Sequence, residues 1–333
     1  MKISDLKIAF AGASHWHVPI YLPAVESEKL KVVGFSDPRK DVADRFAAKY
    51  GCSSYASADE MFDKEKPDFV FAFDVHSKMP ELALNLIDRG IPFSIEKPLG
   101  LNSDDVRRVK AAAEERGVYC SIPFVWRYSE IVKNVRARVA PGEIRNLSYQ
   151  FIAGPTSRYI EPSPWMLQAK TAGTGCMTNL GVHFIDMALL LTGSDSGTAL
   201  GSVFHYMSGY DVEDYATTLV KLSSGASLTL QTGYAYPMDE SKRDNCWNFT
   251  TTSGYYTVKD GYIEYREFGK ETNREYLSTD SDIYYAVYAA ETLKDYLAGN
   301  KPAAGLDDML RTRLVLDDII AKAGPAPKAR RSI

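Results

Sequence analysis

The sequence predicts two unlike domains: an N-terminal α/β domain on a doubly wound parallel sheet, and a C-terminal α+β domain with a large, mainly antiparallel, open-faced sheet. Two observations predict this. Over residues 1–125 short continuous apolar runs alternate with amphipathic stretches of helical period, as strands covered by helices on both faces require. From about Glu143 onward the runs lengthen, are rich in Tyr, Thr, Val and Leu, and are punctuated by Ser-Gly or Asp-Gly turns, the pattern of antiparallel hairpins. At 333 residues the chain has room for two domains of roughly 100–200 residues each.

Taken in order, the first domain, residues 1–125, has predicted strands at Lys7–Ala11, Lys31–Ser36, Phe69–Phe73, Phe93–Ile95 and Tyr119–Pro123. Helical patterns lie between them at Val18–Glu28, Asp41–Tyr50, Ala58–Lys64, Pro80–Arg89 and Ser103–Arg116, with Ser103 and Asp104 as caps. The second domain, residues 126–325, has predicted strands at Leu200–Met207, Tyr215–Leu222, Ala226–Tyr236, Cys246–Thr252, Tyr255–Lys259 and Tyr262–Arg266. Ser223-Ser224-Gly225 separates two of these strands, and Asp260-Gly261 reads as a hairpin turn that needs positive φ. Helices at Ile283–Ala298 and Asp307–Ala323 close the chain, the last expected to pack back on the first domain. Residues 326–333, basic and rich in Pro and Ala, read as a solvated tail.

Composition excludes several classes of function. A formal net charge of −4 offers no general attraction to nucleic acid or an anionic membrane. Cys52, Cys120, Cys176 and Cys246 are scattered without a C-x-x-C pair, so neither a zinc site nor a disulfide framework is expected. The apolar run before Gly12 is too short for a signal peptide, and the expected location is the cytoplasm. The tyrosine-rich sheet, apolar in body and polar at the tip, suits a face shared between subunits, so a homo-oligomer, dimer or tetramer, is expected.

Ile8 to His17 runs strand, tight turn, helix, the context in which a dinucleotide pyrophosphate meets the free N–H groups of a helix N-terminus. Gly12 holds the first glycine position of G-x-G-x-x-G, while Ser14 and His17 stand at the second and third. Ala13, Ser14, His15 and Trp16 follow as candidate cofactor contacts. Asp37, at the end of the second strand, can accept from a ribose diol and repels a 2′-phosphate, which favours NAD, whereas Arg39 leaves NADP open. His15 and His17 form an H-x-H without a third ligand nearby, so no metal is expected and the pair is assigned to cofactor or substrate contact or to packing.

Ile95-Glu96-Lys97-Pro98-Leu99-Gly100 places Lys97 at the carboxyl edge of the parallel sheet, where ligands bind. A second segment, Gly173 to Asp186, contains Asn179, His183 and Asp186 at spacings of four and three. With Glu81-Leu82-Ala83-Leu84, Pro123 to Tyr128, Trp165 and Leu306-Asp307-Asp308, these stretches resemble the EKP and G-G-G-x-x-x-D-x-G-x-H-x-x-D motifs of the Gfo/Idh/MocA family. The resemblance spans nearly the whole chain. It implies a nicotinamide-dependent oxidoreductase of sugars, cyclitols or related polyols, with Glu96 and Lys97 beside the cofactor and Lys97 and His183 in the chemistry. Three departures stand out: Asn179 replaces the first aspartate, Met166 replaces an arginine after Trp165, and Phe73-Asp74-Val75-His76 replaces a Thr-Pro-Asn-like turn, making Asp74 and His76 candidate cofactor or substrate contacts.

The residues also support the chemistry directly. Oxidising a secondary alcohol requires a base for the hydroxyl proton and donors aimed at the developing alkoxide. His183 can be the base, oriented by Asp186, and Lys97 supplies positive charge or relays the proton; the resemblance implies that Asn179 joins them in the catalytic set and lines the substrate side with Arg127 and Trp165. Asn179 can hydrogen-bond but cannot ionise. Lys97 and His183 are expected to meet beside the nicotinamide. The rival readings are a nucleotide-binding sensor of the same fold and a nicotinamide-assisted lyase or glycosidase.

Overall fold

The structure is a computed structural model that describes residues 2–161, 163–237, 243–259 and 261–325. The described residues form two compact units, one drawn from Met1–Pro123 and Asp282–Met309, the other from Phe124–Ser281 and Leu310–Ile333. Residues 326–333, assigned above to a solvated tail, lie outside the described residues, as does Asp260 of the expected hairpin turn. Gly261, its neighbour, has φ of +81°.

The first unit is built on a parallel sheet of β1 (Lys7–Ala11), β2 (Lys31–Ser36), β3 (Ser53–Tyr55), β4 (Phe69–Ala72), β5 (Phe93–Ile95) and β6 (Cys120–Ser121). Its order is β3-β2-β1-β4-β5-β6. The winding reverses between β1 and β4, which places the ligand crevice of such a sheet at the carboxyl ends of these two strands. The apolar runs are buried on both faces: Phe10 on β1 stacks on Phe35 of β2 at 5.0 Å and on Phe71 of β4 at 5.3 Å. Helix Ile283–Ala298, remote in sequence, packs against helix Val18–Ser27. Its Tyr288 hydroxyl lies 2.6 Å from Ser94 on β5 and donates to Ser121 on β6 at 2.9 Å.

Helix Ser103–Arg116 corrects one expectation. Its cap is Asn102, whose side chain accepts from Asp104 N–H at 3.0 Å and Asp105 N–H at 3.1 Å, while Ser103 is already helical. Asn102 is extended at φ −157°, ψ 175°, the backbone from which a short polar side chain can reach the first turn.

The second unit carries β7 (Ile144–Ile152), β8 (Gly197–His205), β9 (Tyr215–Leu222), β10 (Ser227–Gly233), β11 (Asp244–Thr251), β12 (Gly254–Lys259), β13 (Tyr262–Glu267) and β14 (Asn273–Tyr276). Their order is β14-β13-β12-β11-β7-β10-β9-β8. Neighbours are antiparallel except β7 and β10, which pair in parallel. One face buries aromatic residues against helix Val182–Thr192: Phe184 of that helix lies 5.2 Å from Tyr149 and 5.9 Å from Trp247. The opposite face carries half-buried Ser148, Gln150, Thr229, Gln231, Asn248 and Thr257, because alternate residues of a strand point to opposite faces. The run Ala169–Thr192 is long and apolar enough to cross a membrane, and 89% of its most apolar window is buried inside the fold.

Candidate active site

In the first unit, the turn after β1 is held by main chain. Gly12 and Ala13 N–H donate to the Ser36 carbonyl at 2.8 and 3.0 Å, and His15 N–H donates to the Gly12 carbonyl at 3.0 Å. Gly12 has φ of +86°, and a Cβ there would lie 2.0 Å from the Phe73 carbonyl oxygen. Glycine is therefore required here by the packing of the turn against Phe73 and by its positive φ. Asp37 is buried, and its two carboxylate oxygens accept from Ser14 N–H at 2.6 Å and Arg39 N–H at 2.8 Å. A carboxylate offers about four lone-pair sites, so ribose hydroxyls can bind the same group while it braces the turn. The Arg39 side chain is exposed, and Trp16 is half-buried.

Behind this turn lies a polar cluster sealed from water. His15, His17, His76, Glu96 and Lys97 are each at most 8% exposed. Glu96 Oε1 accepts from Tyr21 Oη at 2.9 Å and lies 3.0 Å from His17 Nδ1, while His17 N–H donates to His15 Nδ1 at 3.2 Å. Burial dominates the acid-base behaviour. It pushes the Glu96 carboxyl up against the pull of Lys97, holds His15 well below the usual imidazole range, and lowers Lys97 to about 8 despite the opposing Glu96 charge. Asp74, at the end of β4, is also pushed up by burial, while His76 is buried one turn further on. The structure therefore brings the glycine turn, Asp37, Asp74, His76, Glu96 and Lys97 to the carboxyl side of one sheet, and it makes His15 and His17 part of a buried network.

In the second unit, Met177–Gly181 form a π turn that runs directly into helix Val182–Thr192. Asn179 lies on the π turn and His183 on the first turn of the helix, so a spacing of four brings them to one face. Turns of this type recur at functional sites. Asn179 is 3% exposed, and its amide donates to Tyr159 Oη at 3.3 Å; Tyr159 in turn packs on Tyr234 with ring centres 5.1 Å apart. His183 is half-buried, edge-on to Phe124 at 6.3 Å. Trp165 is half-buried in the short helix Pro164–Leu167, where its carbonyl accepts from Thr171 Oγ1 at 2.7 Å, and Met166 is buried.

Both oxygens of Asp186, the residue whose spacing points it at His183, accept from Arg127, expected on the substrate side: from Nε at 2.9 Å and from Nη2 at 2.5 Å. A planar guanidinium matches a carboxylate at both prongs, and a carboxylate 3% exposed requires such a partner. Sequence reasoning also missed Tyr21, Tyr159 and Tyr285, whose hydroxyl lies 3.4 Å from His17 Nε2. Of these, Tyr21 had a usable signal: it follows His17 by four residues, one helical turn along the same face.

A sheet wound in this order, with a glycine turn at its switch point, defines the class of dinucleotide-binding α/β proteins. The family follows from comparison with known proteins. Residues 6–124 match the family model of oxidoreductases with an NAD-binding Rossmann fold, residues 131–257 match the GFO/IDH/MocA C-terminal domain, and the chain belongs to the Gfo/Idh/MocA oxidoreductase family. It is 24% identical to the rhizopine catabolism protein MocA of Rhizobium meliloti, across 76% of this chain and 78% of that protein. It is 23% identical to the scyllo-inositol 2-dehydrogenase (NAD(+)) of Bacillus subtilis (strain 168), across 67% of this chain and 65% of that protein. A levoglucosan dehydrogenase in complex with NADH shares the fold with a TM-score of 0.82 at 16% identity, covering 96% of each chain.

Proposed function

We propose that this chain is an NAD-dependent dehydrogenase that oxidises a secondary alcohol of a sugar, cyclitol or related polyol, or reduces the corresponding ketone. The observation that carries this reading is the placement of Lys97, an amine 3% exposed at the carboxyl edge of β5, where burial lowers it to about 8. An amine that titrates this close to neutrality can both take and return the hydroxyl proton, which an exposed lysine cannot do at working pH. The names of two relatives, an inositol dehydrogenase and a levoglucosan dehydrogenase, support a polyhydroxylated substrate.

NAD, when bound, supplies the hydride acceptor. The chain's own residues do the rest. The turn of Gly12 at the switch point receives the pyrophosphate, Asp37 selects the unphosphorylated ribose, and Lys97 handles the proton. In the second unit His183 is the candidate base or proton carrier and Asn179 binds a substrate hydroxyl. Buried Asp37 favours NAD; exposed Arg39 is the feature that would admit NADP. We further place the protein in the cytoplasm as a homo-oligomer joined through the open sheet face, where Val203 and Leu219 stand exposed. Equilibrium sedimentation at micromolar protein tests this, and a monomer would overturn it.

The functional test is turnover. Reduced nicotinamide is followed by absorbance while the protein and NAD are incubated with a panel of inositols, aldoses and sugar acids. His183→Ala is expected to lower kcat on the best substrate by about 10²–10⁴-fold, the usual worth of a general base, with NAD affinity unchanged. NAD binding without turnover across the panel would favour a sensor.

A further inference from the structure

Glu213 takes no part in the reaction proposed above, yet the main chain around it is organised on its carboxylate. It sits between β8 and β9 with no exposed surface. Its Oε2 accepts from Gly175 N–H at 2.5 Å and its Oε1 from Met177 N–H at 2.8 Å, while its carbonyl accepts from Cys176 N–H at 3.1 Å. Three successive N–H groups therefore converge on one residue. The approach is so close that a Cβ on Gly175 would lie 1.9 Å from the Glu213 carbonyl oxygen. The next turn is Met177–Gly181, where Asn179 N–H donates to the Gly175 carbonyl at 3.0 Å, and the chain continues without a break into the helix of His183.

We propose that Glu213 is the positioning residue for Asn179 and His183, and that its carboxylate holds the turn carrying them only while ionised. A carboxylate accepts from two N–H groups at once, one on each oxygen. A neutral carboxyl keeps a single good acceptor, so protonation releases one of the two bonds. The environment makes that loss accessible: burial raises Glu213 to about 7, opposed by the Gly175 and Met177 N–H groups. The titratable groups facing it are Asp214 on its own loop, Tyr206 at the end of β8, Cys176 on the held turn, and Tyr234 after β10. Asp214 adds to the rise, since a second negative charge disfavours the first.

The consequence for catalysis rests on the dehydrogenase reading, but the hold on the turn can be measured without it. In the full-length wild-type protein, hydrogen exchange corrected for intrinsic rate is expected to show about tenfold weaker protection of the amides of residues 175–179 at pH 6 than at pH 8, the scale of one hydrogen bond to a charged group. Glu213→Gln, which offers one acceptor at every pH, is expected to show the weakened protection at both. With the best substrate, the variant is expected to show a larger change in kcat than in KM, and to lose the part of the wild-type pH dependence centred near 7 while keeping the part centred near 8 that belongs to Lys97. A merely structural role would lower the melting temperature and leave the shape of the pH profile intact. Exchange unaffected by pH and by the substitution overturns the proposal. Altered exchange with no turnover by either protein overturns the dehydrogenase reading and leaves the hold of Glu213 on the turn established.

Discussion

Lys97→Ala is expected to lower kcat by about 10²–10⁴-fold while NAD still binds, because the substitution removes the buried amine and leaves the glycine turn and Asp37 in place. The pH dependence carries its own sign. Burial disfavours the ammonium form, so the neutral amine predominates above about 8 and the ammonium below it. The neutral amine accepts the alcohol proton, hence oxidation should accelerate as pH rises through that value. Reduction needs the ammonium as donor and should slow over the same interval. Lys97→Arg, which keeps the charge but does not deprotonate, is expected to be slow and to lack the change in rate centred near 8. Steady-state rates in both directions across pH 6–10 test this; a Lys97→Ala protein with near wild-type turnover would remove Lys97 from the chemistry.

The second large effect is on stability. Arg127→Met is expected to destabilise the second unit by about 3–5 kcal/mol, the cost of leaving a buried charge without its partner. Asp186 is 3% exposed and Arg127 only 11%, so water cannot replace the lost bonds without opening the core around Phe184 and Trp247. The double variant Arg127→Met with Asp186→Leu is expected to recover much of the loss, because a volume of apolar side chain there carries no desolvation cost. Urea titration followed by tryptophan fluorescence reads both. A single variant as stable as the wild type would show that the pair is solvated.

The location of this pair shows where sequence reasoning stops. The partners are 59 residues apart, and nothing in the local pattern of either segment points to the other. The same holds for Tyr21 and Glu96, 75 residues apart, and for Glu213 and Gly175, 38 apart. Each is a pairing of buried polar groups whose geometry depends on how elements pack. Backbone register has the same limit: the parallel pairing of β7 with β10 joins strands about 80 residues apart, and β3, three residues long, is too short for any period to register.

What the sequence determined by itself is whatever depends on neighbours a few residues away. The continuous apolar runs predicted β1, β2 and β5 with the bounds the structure shows, and the helical period did the same for Ile283–Ala298, because strand and helix patterns are written in spacings of two and of three to four. Gly12 and Lys97 were legible for the same reason, each lying at the end of a recognisable strand. Tertiary structure alone decided which charges are shielded from water, which carboxylate Arg127 holds, and which residue anchors the turn of Asn179. Those outcomes follow from desolvation, and desolvation is a property of the assembled core, not of any segment of the chain.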